Sequence, residues 1–332
     1  MRAAPFTIGL IATALALAGC SGGDSGATED PAAEAVADLE IHRPFRRGPG
    51  SVNSYWIEGP DEILVFDTQR DIVLAERVVA AIQETGKPVT TIIVSHYDPG
   101  HFGGLQVYMD EFPDAELLMA EAVAEQISRD LSGYIERLRE AQGDEYRAPP
   151  EPARFIENRE ELTVSGVPLI VHIVSDTEAE TITMLSIPSE RAILASDLVA
   201  HRMHPDFADA DIDSWPRALN RLTRDFSGFT LYPGHGEPGP VSLLAANQIA
   251  YISFVRGQVE REILSDDIAT ESEINAAITA IRTNYPGWES VTGRPAQLRR
   301  NLEAIVAQLG GELESAREEE SEEAGEEDGA ES

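Results

Sequence analysis

The sequence has a single cysteine and few basic residues, and each shortage excludes a class of protein. One cysteine among 332 residues rules out an intramolecular disulfide and any zinc site built from several thiolates. Lysine and arginine together number 25 against 59 acidic residues, which gives a formal net charge of −34. Because no basic face is evident that could bind nucleic acid phosphates, we expect no nucleic acid partner.

The acidic side chains are concentrated at the C-terminal end. Between Glu312 and Ser332 there are 11 acidic residues and one arginine, without a periodic apolar face. We therefore expect residues 312–332 to be an acidic disordered tail that contributes solubility.

The N-terminal segment has the pattern of a secretion signal. Arg2 precedes an apolar run from Ala3 to Ala18, which is too short and too alanine-rich for a membrane-spanning helix. Small, polar and acidic residues then fill positions 20–38, and this composition is typical of a flexible tether.

The end of the apolar run, Leu17-Ala18-Gly19-Cys20, resembles the bacterial lipobox. The resemblance implies a signal peptide over residues 1–19 and lipidation of Cys20, which would anchor the protein to a membrane on the periplasmic side of the bacterial envelope. Ser21 after the cysteine favours the outer membrane. The alternative is an ordinary secretory signal with an incidental cysteine.

Short apolar runs alternate with amphipathic segments from residue 39 to residue 240, which predicts an α/β fold. The predicted buried strands lie at 63–66, 91–94, 192–194 and 230–232, and the predicted helices at 71–85, 120–142 and 215–224. After Pro240 the pattern becomes helical at 242–264, 271–283 and 295–309, which predicts a C-terminal extension over 241–311. These helices would either cover an active site or build a dimer, and their periodicity does not distinguish between the two roles.

Histidines follow several of the predicted strands. His96 and His101 come after the 91–94 strand and His235 after the 230–232 strand, each in a glycine-rich segment. Asp98 lies between the first two, and Asp197 follows the 192–194 strand. Because the carboxyl ends of strands present the chemistry of α/β folds, this pattern predicts metal ligation. With a proline and three glycines, residues 95–104 are predicted to form a loop.

In these features the chain resembles the metallo-β-lactamase fold superfamily of metal hydrolases. The family signature, His-x-His-x-Asp-His followed by glycine, has its counterpart in residues 96–104. Residues 51–59 and 64–68 are similar to the family's first hairpin and next strand. Residues 192–198 and 232–236 resemble the segments that carry its bridging aspartate and last histidine ligand. The resemblance covers roughly residues 39–240 and implies an αββα sandwich.

The resemblance also implies a set of metal ligands. They would be His96, Asp98 and Glu178 in a first site, His101 and His235 in a second, and Asp197 as the bridge. Asp176 competes with Glu178 for the third position of the first site. The implied cofactors are one or two divalent metal ions, with zinc expected and iron or manganese as alternatives because the ligand set is rich in carboxylates.

Three ligand positions depart from the family pattern. Asp98 and Glu178 (or Asp176) stand where the family has histidines, and Gly100 stands where it has an aspartate. The second site therefore lacks one ligand.

The implied function is a lipid-anchored, metal-dependent hydrolase. A metal-bound hydroxide would attack the ester, thioester, amide or lactone carbonyl of a small-molecule substrate. Asp197 would take part as the bridging ligand, and His204 as a substrate contact or proton donor. The alternative is a non-catalytic or weakly catalytic envelope protein that binds a metal or a small ligand at a degraded site. A mono-iron oxygenase-type enzyme is a third option.

Overall fold

The computed structural model describes residues 38–44, 52–263, 268–294 and 296–314. The predicted signal peptide, Cys20, nearly all of the predicted tether and residues 315–332 lie outside the described residues. Within the described ranges, no helix combines the length and the apolar character needed to cross a bilayer.

Two six-stranded sheets form the centre of the molecule. The first contains, in spatial and chain order, β1 (Glu40–His42), β2 (Tyr55–Glu58), β3 (Ile63–Phe66), β4 (Val89–Ile93), β5 (Glu116–Met119) and β6 (Arg154–Phe155). Strands β1 to β3 pair antiparallel, and β3 to β6 pair parallel.

The remaining strands build the second sheet and two short ribbons. They are β7 (Glu161–Val164), β8 (Val167–Ser175), β9 (Thr181–Ile187), β10 (Ala192–Ala200), β11 (Met203–His204), β12 (Thr230–His235), β13 (Gly239–Pro240), β14 (Ile268–Ala269), β15 (Glu289–Ser290) and β16 (Glu312–Leu313). The second sheet has the order β13-β12-β10-β9-β8-β7, in which only β10 and β12 pair parallel. The ribbons join β11 to β15 and β14 to β16.

Nine α-helices are described, and most of them cover the outer faces of the sheets. They are α1 (Ile72–Gln83), α2 (Pro99–Phe102), α3 (Leu105–Glu111), α4 (Glu121–Ser128), α5 (Tyr134–Gln142), α6 (Ser214–Asp225), α7 (Val241–Gln258), α8 (Glu271–Asn284) and α9 (Gln297–Gln308). A 3₁₀ turn (Gly143–Glu145) follows α5, and a π-helical turn (Val259–Ile263) continues α7.

The alternation of side chains along each strand separates two apolar clusters. Leu64 and Phe66 of the first sheet join Leu185 and Leu194 of the second in a buried layer between the sheets. Their neighbours, such as Ile63, belong to a second cluster that includes the buried faces of the helices. The predicted α/β class, with an αββα sandwich and a helical C-terminal extension, is confirmed.

Two sequence predictions differ from the structure in their details. The predicted helix over 120–142 is broken into α4 and α5, because Asp130 and Gly133 adopt left-handed backbone angles. The Asp130 carboxylate accepts hydrogen bonds from the Ile135 and Glu136 N–H groups at the start of α5. At the C-terminal end, β16 lies inside the predicted disordered tail, so ordered structure continues beyond residue 311.

Candidate metal centre

The predicted ligands come together where strands of both sheets end. His96 lies three residues beyond β4, Asp197 lies within β10, and His235 is the last residue of β12. Strands β10 and β12 run parallel, with Ala200 in register with His235. The Thr183 N–H of β9 donates to the Ser95 carbonyl at 2.8 Å. This bond ties the exit of β4 to the second sheet.

Asp197 is the hub of the cluster. Its Oδ1 lies 3.3 Å from Nε2 of His101, and its Oδ2 lies 3.2 Å from Nε2 of His235 and 3.9 Å from Nε2 of His96. All four side chains are buried. One ligand atom from each of His96, His101 and Asp197 can be chosen so that the three lie within 4.8 Å of one another. This spacing suits ligands that surround one cation.

Asp67, which the sequence analysis did not single out, positions His101. Its Oδ2 lies 2.7 Å from Nδ1 of His101, and the same carboxylate accepts hydrogen bonds from the N–H and hydroxyl of Ser95. The contact leaves Nε2 of His101 directed at Asp197. Asp67 itself holds a left-handed backbone angle, φ 64°, at the end of β3. Its signal in the sequence was an acidic residue directly after a buried strand, the pattern already noted for Asp197.

Gly234 makes room for the Asp197 carboxylate. A Cβ atom at position 234 would lie 1.8 Å from Oδ1 of Asp197 and 2.9 Å from the Asp197 backbone nitrogen. The strand that carries His235 can therefore approach Asp197 this closely only with glycine at position 234.

Asp98, predicted as a ligand, is engaged by other groups. Its Oδ1 accepts the Gly100 N–H at 2.6 Å and lies 3.3 Å from the Arg70 guanidinium. The segment predicted as a loop contains the one-turn helix α2, because Asp98 caps its N-terminus and Pro99 occupies the first helical position. Burial raises the pKa of the Asp98 carboxyl, but Arg70 and the two nearby histidines outweigh burial and lower it. In this structure Asp98 is an N-cap and ion-pair partner.

Glu178, rather than its competitor Asp176, lies beside the cluster. Its Oε2 is 3.9 Å from Nε2 of His96, and the side chain is nearly inaccessible. Asp176 is exposed, and its N–H donates to the Glu180 carbonyl at 3.1 Å within the turn between β8 and β9. Burial and the charge of Asp197 raise the pKa of Glu178 well above its usual range.

The unpaired polar atoms of the cluster fit a metal ion. Four buried atoms of this cluster have no well-formed hydrogen bond to any described residue: His96 Nε2, His101 Nε2, Asp197 Oδ1 and Glu178 Oε2. Buried polar atoms are rarely left without partners, and one cation would satisfy those of His96, His101 and Asp197 together. Nitrogen and carboxylate oxygen donors of this kind suit zinc, iron and manganese.

The ionisation of His96 and Asp197 suits a cation, whereas for His101 burial lowers the pKa but Asp197 and Asp67 outweigh it and raise the pKa well above its usual range. Burial and the neighbouring His101 lower the pKa of His96 to about 4, so its ring is neutral at pH 7 and Nε2 has a free lone pair. For Asp197, burial raises the pKa, but His235 and His101 outweigh it and hold the pKa well below its usual range. A neutral imidazole and an ionised carboxylate are the forms that bind metals.

His204, predicted as a substrate contact or proton donor, lies in an aromatic cluster. Its Nδ1 is 2.8 Å from the Tyr251 hydroxyl, and its ring packs at 5.9 Å from that of Trp288. Burial lowers the pKa of His204 to about 4. These contacts favour a packing role, and His204 is not among the residues that line the pocket beside His96.

That pocket has a volume of about 320 Å³. Its lining includes the predicted ligands His96, Asp98 and Glu178 together with Arg70, Arg294 and Arg300. Arg294 and Arg300 belong to the C-terminal extension, so the extension contributes to the wall of the pocket. The sequence analysis left open whether these helices cover an active site or build a dimer, and it singled out neither arginine.

Comparisons with known proteins agree with this geometry. Residues 47–235 match the family model described as the metallo-beta-lactamase superfamily. A metallo-beta-lactamase from Pontibacter korlensis aligns with a TM-score of 0.53 and 17% identity over 65% of this chain and 94% of its own. The metallo-beta-lactamase TMB-1 aligns with a TM-score of 0.52 and 14% identity over 66% of this chain and 97% of its own.

A curated protein is also similar in sequence. The linear primary-alkylsulfatase of Pseudomonas sp. (strain ATCC 19151) is 20% identical over 223 residues. The match covers 55% of this chain and 41% of the relative, so the chain spans less than half of that protein's length.

Proposed function

The chain belongs to the metallo-beta-lactamase superfamily, and from this premise we propose that it is a lipid-anchored metallo-hydrolase of small molecules in the bacterial envelope. Its substrates would carry an ester, thioester, amide or lactone bond. The observation that carries the proposal is the convergence of His96, His101 and Asp197 on one buried point, with His235 at 3.2 Å from Asp197. Nε2 of His96, Nε2 of His101 and Oδ1 of Asp197 have no hydrogen-bond partner among the described residues.

His96, His101, Asp197 and His235 would hold the metal, and Glu178 is placed to join them. A divalent ion at such a site makes water nucleophilic near neutral pH and polarises the bond to be cleaved. Asp67 fixes the orientation of His101, and Gly234 allows Asp197 its position. A substrate would approach the cluster through the pocket that His96 and Glu178 line.

Metal content tests the proposal directly. We expect the protein, purified without chelator, to contain one or two equivalents of a divalent metal by mass spectrometry. The double variant His101→Ala/His235→Ala should lose it. His172→Ala is the matched control, because His172 lies on β8 and contacts Ser186 at 2.8 Å. A folded wild-type protein that stays metal-free after supplementation with zinc, iron and manganese would overturn the proposal.

Hydrolysis of a substrate panel tests the reaction. The panel contains nitrophenyl esters, a thioester, an anilide, a lactone and, because the curated relative is named an alkylsulfatase, an alkyl sulfate. We expect turnover that a chelator abolishes and added metal restores. Metal-loaded protein that turns over no member of the panel would instead favour the binding-protein alternative.

The lipobox-like sequence at Cys20 supports the proposed anchor. In a bacterial host, the protein should partition with membranes, and Cys20→Ser should release it from them. Mass spectrometry of the mature N-terminus should find an acylated cysteine. An unmodified Cys20, or a mature chain that begins elsewhere, would contradict lipidation.

A further inference from the structure

The pocket beside His96 is lined by arginines from separate parts of the chain. Arg70 follows β3, Arg137 lies on α5, Arg294 precedes α9, and Arg300 lies within α9. The sequence has 25 basic residues against 59 acidic ones, whereas the lining of this pocket has four arginines against four acidic residues, so basic residues are locally enriched.

We propose that Arg70, Arg294 and Arg300 form a subsite for an oxyanion group of the substrate, such as a carboxylate, phosphate or sulfate. The inference rests on the proposed hydrolase function and specifies its substrate class: a small organic anion. The C-terminal extension, which lies outside the residues that match the family model, would supply two of the three cations.

The acids of the same pocket have other partners. Asp98 pairs with Arg70, Asp209 accepts the Tyr97 hydroxyl, and Glu178 lies beside His96. Asp206 accepts the Ala208 N–H at 3.2 Å. The charge of Arg300 acts on the Asp206 carboxyl, but among the described residues neither Arg294 nor Arg300 takes part in a salt bridge, so no carboxylate holds either guanidinium.

Two guanidinium nitrogens at the pocket are also without partners. Within the described ranges, Nη2 of Arg300 and Nε of Arg70 are buried and have no hydrogen bond. A buried donor costs free energy until an acceptor satisfies it. An oxyanion bound between planar guanidinium groups would accept from them, and this is the geometry in which arginine binds carboxylates and phosphates.

The helix that carries Arg300, α9, is held to residues 204–207 by side-chain hydrogen bonds. Gln297 donates to the carbonyl oxygens of His204 and Pro205 at 2.7 and 2.8 Å. Asn301 donates to the Pro205 carbonyl at 2.8 Å and accepts the Phe207 N–H at 3.1 Å. Both amide side chains are buried. Arg300 is therefore positioned before a ligand arrives.

Calorimetric titration with sodium sulfate at constant ionic strength tests the subsite without requiring turnover. We expect saturable sulfate binding to the wild-type protein. Arg300→Gln and Arg294→Gln should each weaken it about tenfold, as expected for a lost charge-assisted hydrogen bond. Arg300→Lys should recover part of the affinity, because it keeps the charge but not the planar fork.

Arg299→Gln is the matched control. Arg299 is the neighbour of Arg300 on α9, but it pairs with Glu271 at 2.7 Å and does not line the pocket. It should bind sulfate like the wild type. The proposal is overturned if wild-type protein shows no saturable binding, or if Arg300→Gln and Arg294→Gln bind like Arg299→Gln. Arg294 is exposed, so its variant keeps the test valid if Arg300→Gln fails to fold.

The double variant His101→Ala/His235→Ala separates this inference from the proposed function. If sulfate binding persists there and still depends on Arg300, the arginine subsite stands whether or not the protein holds metal or hydrolyses an ester. If the double variant does not bind sulfate and Arg300→Gln binds sulfate like the wild type, the anion binds at the metal position and the proposed subsite is wrong.

Kinetics give a second readout once turnover is found. For p-nitrophenyl hemisuccinate, Arg300→Gln should raise KM about tenfold and leave kcat nearly unchanged. For the uncharged p-nitrophenyl butyrate, KM should be the same in both proteins. An equal change for both esters would contradict recognition of the charge.

Discussion

The two sides of the metal centre are built differently. On one side, Asp197 lies within 3.3 Å of His101 and His235, and Asp67 orients His101. On the other side, Asp98 is occupied by Arg70 and the Gly100 N–H, and Glu178 lies 3.9 Å from His96. The side that keeps the family's residues is preorganised by surrounding side chains. On the side that departs from them, the Asp98 carboxylate caps α2 and pairs with Arg70.

The largest effect should come from the preorganised side. Asp197→Asn removes the negative charge that His101 and His235 face, so metal affinity should fall at least about 100-fold and turnover should follow it. Asp98→Asn should lower both by less than about tenfold, since its carboxylate faces Arg70. Metal titration with a competing chelator measures both. Equal losses in the two variants would remove the distinction between the sides.

A smaller effect is expected from Gly234→Ala, which leaves every ligand in place. The added methyl group would lie 1.8 Å from Oδ1 of Asp197, so the carboxylate or the strand must move. Metal affinity should fall about 10- to 100-fold, in the range seen when a ligand loses its orientation. Gly239→Ala is the control, because there the methyl group meets only the end of the Leu244 side chain. Wild-type affinity in Gly234→Ala would show that Asp197 is not held as tightly as the structure indicates.

Restoring the family's aspartate should not repair the other side. In Gly100→Asp the new Cβ would lie 2.4 Å from Cγ2 of Val52 and 2.7 Å from Oδ1 of Asp98. Overpacking of this kind should lower the free energy of unfolding by about 1–3 kcal/mol without raising metal affinity. Urea denaturation measures the stability. The double variant Val52→Ala/Gly100→Asp should recover part of the lost stability. A gain in metal affinity from Gly100→Asp alone would contradict this expectation and show that the site has only lost a ligand.

The smallest effect on catalysis should come from His204. His204→Gln should change kcat by less than about twofold, because the ring contacts Tyr251 and Trp288.

The same variant should alter the pH dependence of stability. The pKa of His204 is lowered from 6.5 to about 4 by burial, so the unfolded chain binds a proton over this range that the folded protein does not. Wild-type stability should therefore fall as the pH drops from about 6.5 to 4, by up to about 3 kcal/mol from this group. His204→Gln should lack that contribution in urea titrations. If His204→Gln is stable but loses most of its kcat at pH 7, the result would support the predicted role of His204 as a proton donor.

The fold and the main cluster were predictable because their signals are local. In the sequence, His96, Asp197 and His235 come shortly after short apolar runs, and this pattern predicts both the strands and the end at which these side chains meet. The sequence could not decide between Asp176 and Glu178, because both lie in the turn between β8 and β9. The backbone of that turn determines which of the two side chains faces the cluster.

The arginines of the pocket beside His96 were not predictable, because no local signal marks them. Arg70, Arg137 and Arg300 are far apart in the chain, and none of them has a distinctive neighbourhood. Their proximity depends on where the C-terminal helices dock, and helical periodicity specifies an apolar face but not its partner. The ligand role predicted for Asp98 stays a prediction: the same carboxylate can serve as a ligand or as an N-cap, and here it caps α2, whose first residue is Pro99.

The attachment of α9 has a consequence for sequence variation. The hydrogen bonds that Gln297 and Asn301 make to residues 204–207 are to main-chain atoms. Since every residue offers a carbonyl, and every residue but proline an N–H, these hydrogen bonds do not depend on which side chains residues 204–207 carry. Replacement of the two amides would remove the bonds and leave α9 held by its buried apolar face. The hydrogen-bonded part of this attachment is therefore sensitive to substitutions in α9 and insensitive to side-chain identity in the facing segment.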